Sequence, residues 1–173
     1  MNFTTEYAAL QKQFHIDRPD YGISGSRYAE HIAQLAKKMG TRDILDYGCG
    51  KATLQKSLPF PIQNYDPFIP EYMGPPKPAE LVVCTDVCEH IELECLDAVL
   101  CHIATLTQKI VFFQIATRPA ANTLPDGRNA HLIQQPVNWW LNRLMAYFNI
   151  HHLDDMKGGF ICVCSPIPDV GES

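Results

Sequence analysis

Ile44-Leu45-Asp46-Tyr47-Gly48-Cys49-Gly50-Lys51-Ala52 is the stretch whose reading decides the fold. A buried strand is expected over 43–47, a glycine turn at Gly48-Cys49-Gly50, and a short helix from about Ala52 that Pro59 stops. Strand, tight turn and helix in that order form a ligand-binding corner, because small glycines let the backbone approach a bound molecule closely. Residues 62–65 read as the next strand, and Asp66 closes it where a carboxylate can accept both hydroxyls of a ribose. A nucleotide-like ligand follows from these features, which S-adenosylmethionine and NAD satisfy equally.

Upstream, Phe3, Tyr7, Leu10 and Phe14 recur at helical spacing and predict a short amphipathic helix before a turn-rich segment, Arg18-Pro19-Asp20-Tyr21-Gly22. A second helix is expected with Ser26 as N-cap, an apolar face of Tyr28, Ile32, Leu35, Ala36 and Met39, and Gly40 as its stop. Downstream, a loop carrying Pro67, Pro70, Pro75, Pro76 and Pro78 leads to a strand over 81–84. A helical stripe of Leu93, Leu96, Val99, Leu100, Ile103 and Leu106 precedes an apolar strand over 110–115. After a loop over 117–130, Pro136 opens a helix whose buried face carries Val137, Trp140, Leu141, Leu144, Met145 and Phe148. Two last strands, 149–153 and 160–164, flank Lys157-Gly158-Gly159 and are expected to return antiparallel. The fold class expected is α/β: a Rossmann-like, mostly parallel sheet with helices on both faces and a C-terminal antiparallel hairpin.

The 173 residues are expected to form one domain, with 1–40 as a helical arm or lid, 43–166 as the core and 167–173 as a tail. Hydrophobic residues make up 46% and charged residues 19%, and no apolar run approaches the roughly 20 residues that cross a bilayer, so no membrane association is expected. The N-terminal residues lack the pattern of a secretory signal, which points to a cytoplasmic protein. Seven cysteines, an odd count without C-x-x-C spacing, read as reduced thiols and give little support for zinc. A net charge of −5 argues against wide nucleic-acid binding but leaves a local basic groove open.

The chain resembles the class I S-adenosylmethionine-dependent methyltransferases over about 43–166. Their first motif, acidic-x-Gly-x-Gly, matches Asp46, Gly48 and Gly50, and Ala52 stands where the family has a further glycine. Their fourth-strand segment resembles Leu81-Val82-Val83-Cys84-Thr85-Asp86-Val87-Cys88-Glu89-His90. The resemblance implies that the turn, with Cys49, lies against the methionine part of the cofactor and that Asp66 holds the ribose. On the methyltransferase reading Asp86 is expected to face the cofactor, and Tyr21, Ser24 and Tyr28 are expected to fold over it from the arm. Only a proline-rich loop stands where larger members place a helix and a strand, so the sheet is expected to be abbreviated there, with Pro67 and Phe68 forming the adenine side.

Asp86, Glu89 and His90, with a distant His131, are also similar to the metal-ligand pattern of small-RNA 2′-O-methyltransferases. That likeness implies a Mg²⁺ or Mn²⁺ site able to lower the pKa of a substrate hydroxyl. Without a metal, His90, His131 and Glu89 are the candidate catalytic residues, for substrate orientation or proton transfer, while the structural alternative gives Glu89 and His90 hydrogen-bonding or loop-shaping roles. Adjacent Trp139 and Trp140 read as packing residues. Arg118, Asp126, Arg128 and Asn129 read as a polar loop near the substrate side, and His151 and His152 as structural. The function expected is O- or N-methylation of a small-molecule acceptor. A metal-dependent nucleic-acid methyltransferase, an NAD-binding oxidoreductase and a non-catalytic cofactor-binding domain are the alternatives.

Overall fold

The computed structural model describes residues 2–18 and 21–168, so Pro19 and Asp20 of the expected turn and most of the expected tail lie outside the described residues. The elements in chain order are α1 (Thr5–Asp17), α2 (Ala29–Met39), β1 (Ile44–Tyr47), α3 (Thr53–Ser57), β2 (Gln63–Tyr65), β3 (Ala79–Thr85), α4 (Leu96–Leu106), β4 (Thr107–Ala116), α5 (Val137–Leu144), β5 (Phe148–Met156) and β6 (Gly159–Pro166).

One six-stranded sheet runs in the order β2-β1-β3-β4-β6-β5. The first four strands are parallel, and β6 enters antiparallel between β4 and β5. Continuous apolar strands are what a sheet covered on both faces requires, and the period of two sorts their side chains. Leu45, Tyr47, Val82, Cys84, Val111, Phe113 and Ile115 face α4 and α5. Ile44, Leu81, Val83 and Phe112 face α2 and α3. Between β2 and β3 the chain is a loop, so β2 is the sheet's edge and the expected abbreviation is present.

Four local expectations need correction. Ser26 does not cap α2: residues Ser24–Tyr28 form a 3-10 turn, its hydroxyl donates to the Ile23 carbonyl, and α2 starts at Ala29. Leu93 belongs to a 3-10 turn ahead of α4 and is 54% exposed. Met145 is equally exposed, because α5 ends at Leu144. Phe148 is buried as expected, but as the first residue of β5 rather than on a helix.

The arm is placed by a third, smaller cluster, in which Tyr7 and Phe14 of α1 pack on Leu124 and Ala130 of the 117–130 loop. Thr4 caps α1 by accepting from the Tyr7 N–H, while its own N–H and hydroxyl donate to the two oxygens of Glu92 at 2.9 and 2.8 Å. Helix α1 thereby lies across the C-terminal ends of the parallel strands, the edge where open α/β sheets bind ligands.

Candidate active site

A cavity of about 710 Å³, its open mouth included, lies beneath α1. Of the residues singled out in the sequence, Tyr21, Gly48, Gly50, Asp66, Pro67, Asp86 and His90 line it. The glycines earn their place by packing as much as by ligand approach. A Cβ on Gly50 would sit 2.5 Å from the Gly22 carbonyl oxygen, and one on Gly48 would sit 2.4 Å from a Val87 methyl. Both have φ in the left-handed region, at 51° and 76°. Ala52, in the third glycine's place, also takes a left-handed φ of 51°, a conformation that costs a residue with a side chain roughly 1–2 kcal/mol.

Asp66 is 5% exposed, and its carboxylate accepts from the Gly50 N–H at 3.0 Å and the Phe68 N–H at 2.9 Å. Burial raises its pKa, and those N–H groups and nearby His15 pull the other way. Each oxygen keeps a lone pair, so the group can still accept from a diol. Asp46 and Cys49 do not line the cavity. Asp46 is buried beneath the turn, where desolvation and then the charge of Asp66 push its pKa up to about 7, and its Oδ2 has no partner. The Cys49 thiol is buried and turned onto the Gly50 carbonyl. Ser24 reaches the site indirectly, donating to Asp86 Oδ2 at 2.5 Å.

Asp86 holds a left-handed φ of 59°, an outlier of the kind that clusters at functional sites. Both histidines face it. Nδ1 of His90 lies 2.8 Å from the Ala130 carbonyl and Nδ1 of His131 lies 2.6 Å from the Arg118 carbonyl, so each Nδ1 donates to its carbonyl and each Nε2 is left on the side of Asp86. Those Nε2 atoms stand 4.0 and 3.9 Å from Asp86 Oδ1, too far for hydrogen bonds. One ligand atom from each of the three residues lies within 4.8 Å of the others. Burial lowers the His90 pKa to about 4 against the pull of Asp86, so its ring is neutral. Burial favours the neutral form of Asp86 too, but the two imidazoles and Ser24 more than offset it, and its pKa is lowered.

Of the four expected ligands, Glu89 is not among those whose ligand atoms converge. Fully buried, it accepts the Ala116 N–H on Oε1 at 2.6 Å, and burial together with the Asp86 charge raises its pKa well above the usual range. Through that hydrogen bond Glu89 fixes the end of β4. Asn129, read as a surface polar residue, instead ties the loop. Its Oδ1 accepts from the Ala120 and His131 N–H groups and its amide donates to the Ala120 carbonyl, which aims His131. Arg128 and Asp126 form an exposed ion pair nearby.

The contribution of α1 to the cavity was not legible in its apolar periodicity. Tyr7 donates to the His90 carbonyl and receives a hydrogen bond from Gln11, while the Tyr21 hydroxyl contacts the His90 ring at 3.2 Å. The available signal was Gln11, a polar residue four positions from Tyr7 on a buried helical face.

No family model matches the chain, and no curated protein sequence matches it significantly. Its likeness is to solved structures. One is 1,6-didemethyltoxoflavin-N1-methyltransferase from Burkholderia thailandensis with bound 1,6-didemethyltoxoflavin and S-adenosylhomocysteine, at 14% identity, TM-score 0.67, covering 93% of this chain and 89% of that one. A second is DhpI in complex with S-adenosylhomocysteine, at 14% identity and TM-score 0.61, covering 95% of this chain and 100% of that one. A third is the N-methyltransferase NodS from Bradyrhizobium japonicum, at 10% identity and TM-score 0.59, covering 83% and 87%. The chain has the fold of the class I S-adenosylmethionine-dependent methyltransferases, with the strand between their second and fourth absent.

Proposed function

We propose that the protein transfers a methyl group from S-adenosylmethionine to an oxygen or nitrogen of a small-molecule acceptor. The observation that carries this reading is the single cavity that joins Asp66 and the glycine turn to the Asp86 and His90 end within a class I fold. The sulfonium is already activated, so the protein's task is to align acceptor, methyl and leaving sulfur and to exclude water. Helix α1 supplies the cover, and Tyr21 and Ser24 brace the acceptor side through His90 and Asp86. Nε2 of His90 or of His131 is the group that takes the acceptor's proton, with Glu89 holding the loop. Similar proteins crystallised with small-molecule ligands support a small acceptor. Seven free cysteines support a cytoplasmic setting. Incubation of the protein with isotopically labelled cofactor and a cell extract should yield a labelled small molecule by mass spectrometry. Absence of any labelled product beyond the extract control would reduce the chain to a cofactor-binding domain.

A second reading concerns a metal, and the convergence of His90 Nε2, His131 Nε2 and Asp86 Oδ1 favours it. These three would hold the ion, and the backbone carbonyls on each Nδ1–H are the outer contacts that metal-binding imidazoles use. Two nitrogens and one oxygen suit Mn²⁺ or another transition ion better than Mg²⁺, and such an ion lowers the pKa of a bound hydroxyl. Chelation should then abolish turnover and Mn²⁺ restore it, while His131→Ala weakens Mn²⁺ binding and spares the cofactor. Full activity of chelator-treated protein would leave the two histidines as bases alone.

A further inference from the structure

On the face of the sheet that packs against α2 and α3, the apolar row through Val83 and Phe112 gives way to two polar residues near the strand ends. These are Thr85 on β3 and Gln114 on β4, which are Cα partners across the parallel pair. Both are buried, at 6% and 7% exposure. Neither side chain has a hydrogen-bond partner among the described residues, yet their polar atoms are not sealed away as Asp46 Oδ2 is, so a ligand can reach them. Valine and methionine would pack the same space without burying unpartnered polar groups, so the pair costs the fold stability.

The pair adjoins the acid of the site. Asp86 follows Thr85 in the chain, and its N–H donates to the Gln114 carbonyl at 3.0 Å. The 3-10 turn Ser24–Tyr28, whose first residue bonds Asp86, brings Tyr28 over the same face, with its ring 6.1 Å from that of Phe112.

The chemistry of a carboxamide says what such a pair can hold. Gln114 offers a donor and an acceptor side by side in one plane, so a ligand group that satisfies both must present an acceptor and a donor side by side. A carboxylate would satisfy the amide N–H alone, leave Oε1 unpaired and bring negative charge up to Asp86. A trans amide points its N–H and its carbonyl in opposite directions. A cis-amide edge, as a lactam, a cyclic imide or a primary amide presents it, satisfies both ends of the carboxamide.

We propose that Thr85 and Gln114 form the specificity subsite for the acceptor, the Gln114 carboxamide pairing with a cis-amide edge while the atom to be methylated faces Asp86, His90 and His131. The inference rests on the methyltransferase reading and deepens it by naming the acceptor's class, a small neutral molecule with a lactam, imide or primary-amide edge.

The test repeats the labelling of a cell extract with isotopically labelled S-adenosylmethionine, with Gln114→Met and Thr85→Val beside the wild-type chain. The wild-type product should carry the cis-amide edge. Gln114→Met should form it on the order of tenfold more slowly in dilute extract, and the deficit should shrink as the extract is concentrated, because the lost contact weakens acceptor binding. Thr85→Val, which keeps the side chain's shape, should slow it by about threefold in the same way. Both variants should bind S-adenosylhomocysteine as the wild type does in calorimetry and melt no lower, since each removes an unpartnered polar group. A loss of labelling matched in both variants by a fall in melting temperature makes the pair structural and overturns the subsite. So does a labelled product without a donor and acceptor side by side, or labelling in dilute extract that both variants leave undiminished, and in those cases the proposed function stands. No labelled product from the wild-type chain overturns the subsite together with the proposed function.

Discussion

Gly50 shows how a single atom's worth of space sets the site. Its φ is left-handed, which costs a residue with a Cβ roughly 1–2 kcal/mol, and the added carbon would press on the backbone oxygen of Gly22. The loop carrying Gly22 cannot retreat freely, since that same carbonyl accepts the Lys51 N–H at 2.8 Å. Gly50→Ala should therefore destabilise the fold by roughly 2–4 kcal/mol in urea unfolding, and a loss under about 0.5 kcal/mol would show that the turn is not packed as described. Asp46 makes a second residue-scale prediction. Its pKa of about 7 in the folded protein lies above the ordinary unfolded value, so the folded state holds the extra proton and stability falls as pH rises toward 7. The decline attributable to Asp46 should be roughly 2–3 kcal/mol between about pH 5 and pH 7. Asp46→Asn should flatten that part of the stability profile, and an identical slope in both proteins would mean that the carboxyl is charged throughout.

At the scale of elements, the N-terminal end of α1 is anchored by one carboxylate. Glu92, at the turn leading into α4, accepts both the N–H and the hydroxyl of Thr4, so the cap of α1 is also its anchor. Removing Glu92 leaves those donors to water and loosens the helix without touching the sheet. Hydrogen exchange on Glu92→Ala should be faster in the amides of α1 by about 10–100-fold, while β3 and β4 stay protected. A uniform rise across the sheet would instead make Glu92 part of the global fold. The hairpin of β5 and β6 illustrates the opposite case, an element set by its own residues. Gly158 takes φ 81° at the turn, and the strands pair from Phe148 with Pro166 through Met156 with Gly159.

For the whole molecule, the cofactor should act as a stabilising ligand. S-adenosylhomocysteine at about 100 times its dissociation constant adds about 2.7 kcal/mol to a native state that alone binds it. A chain of this size should then melt roughly 5–10 °C higher, whereas NAD should leave the melting temperature unchanged. Stabilisation by NAD alone would reverse the reading of the cavity. Sequence patterning was sufficient for the central strands β1, β3, β4 and β6, because a strand covered on both faces must be largely apolar, and for the corner at Gly48 and Gly50 and the acid at Asp66, because local backbone geometry and strand ends are written in neighbouring residues. Periodicity also marked α1, but not what it covers. Glu89 and His90 adjoin in the chain, yet burial sends the first to the Ala116 N–H and leaves the second facing Asp86 beside His131. Asn2 and His102 are a hundred positions apart. Which side chains share a cavity, which carboxyl loses its charge and which imidazole nitrogen is free all depend on contacts distant in sequence and on exclusion of water, and only the tertiary structure decides those.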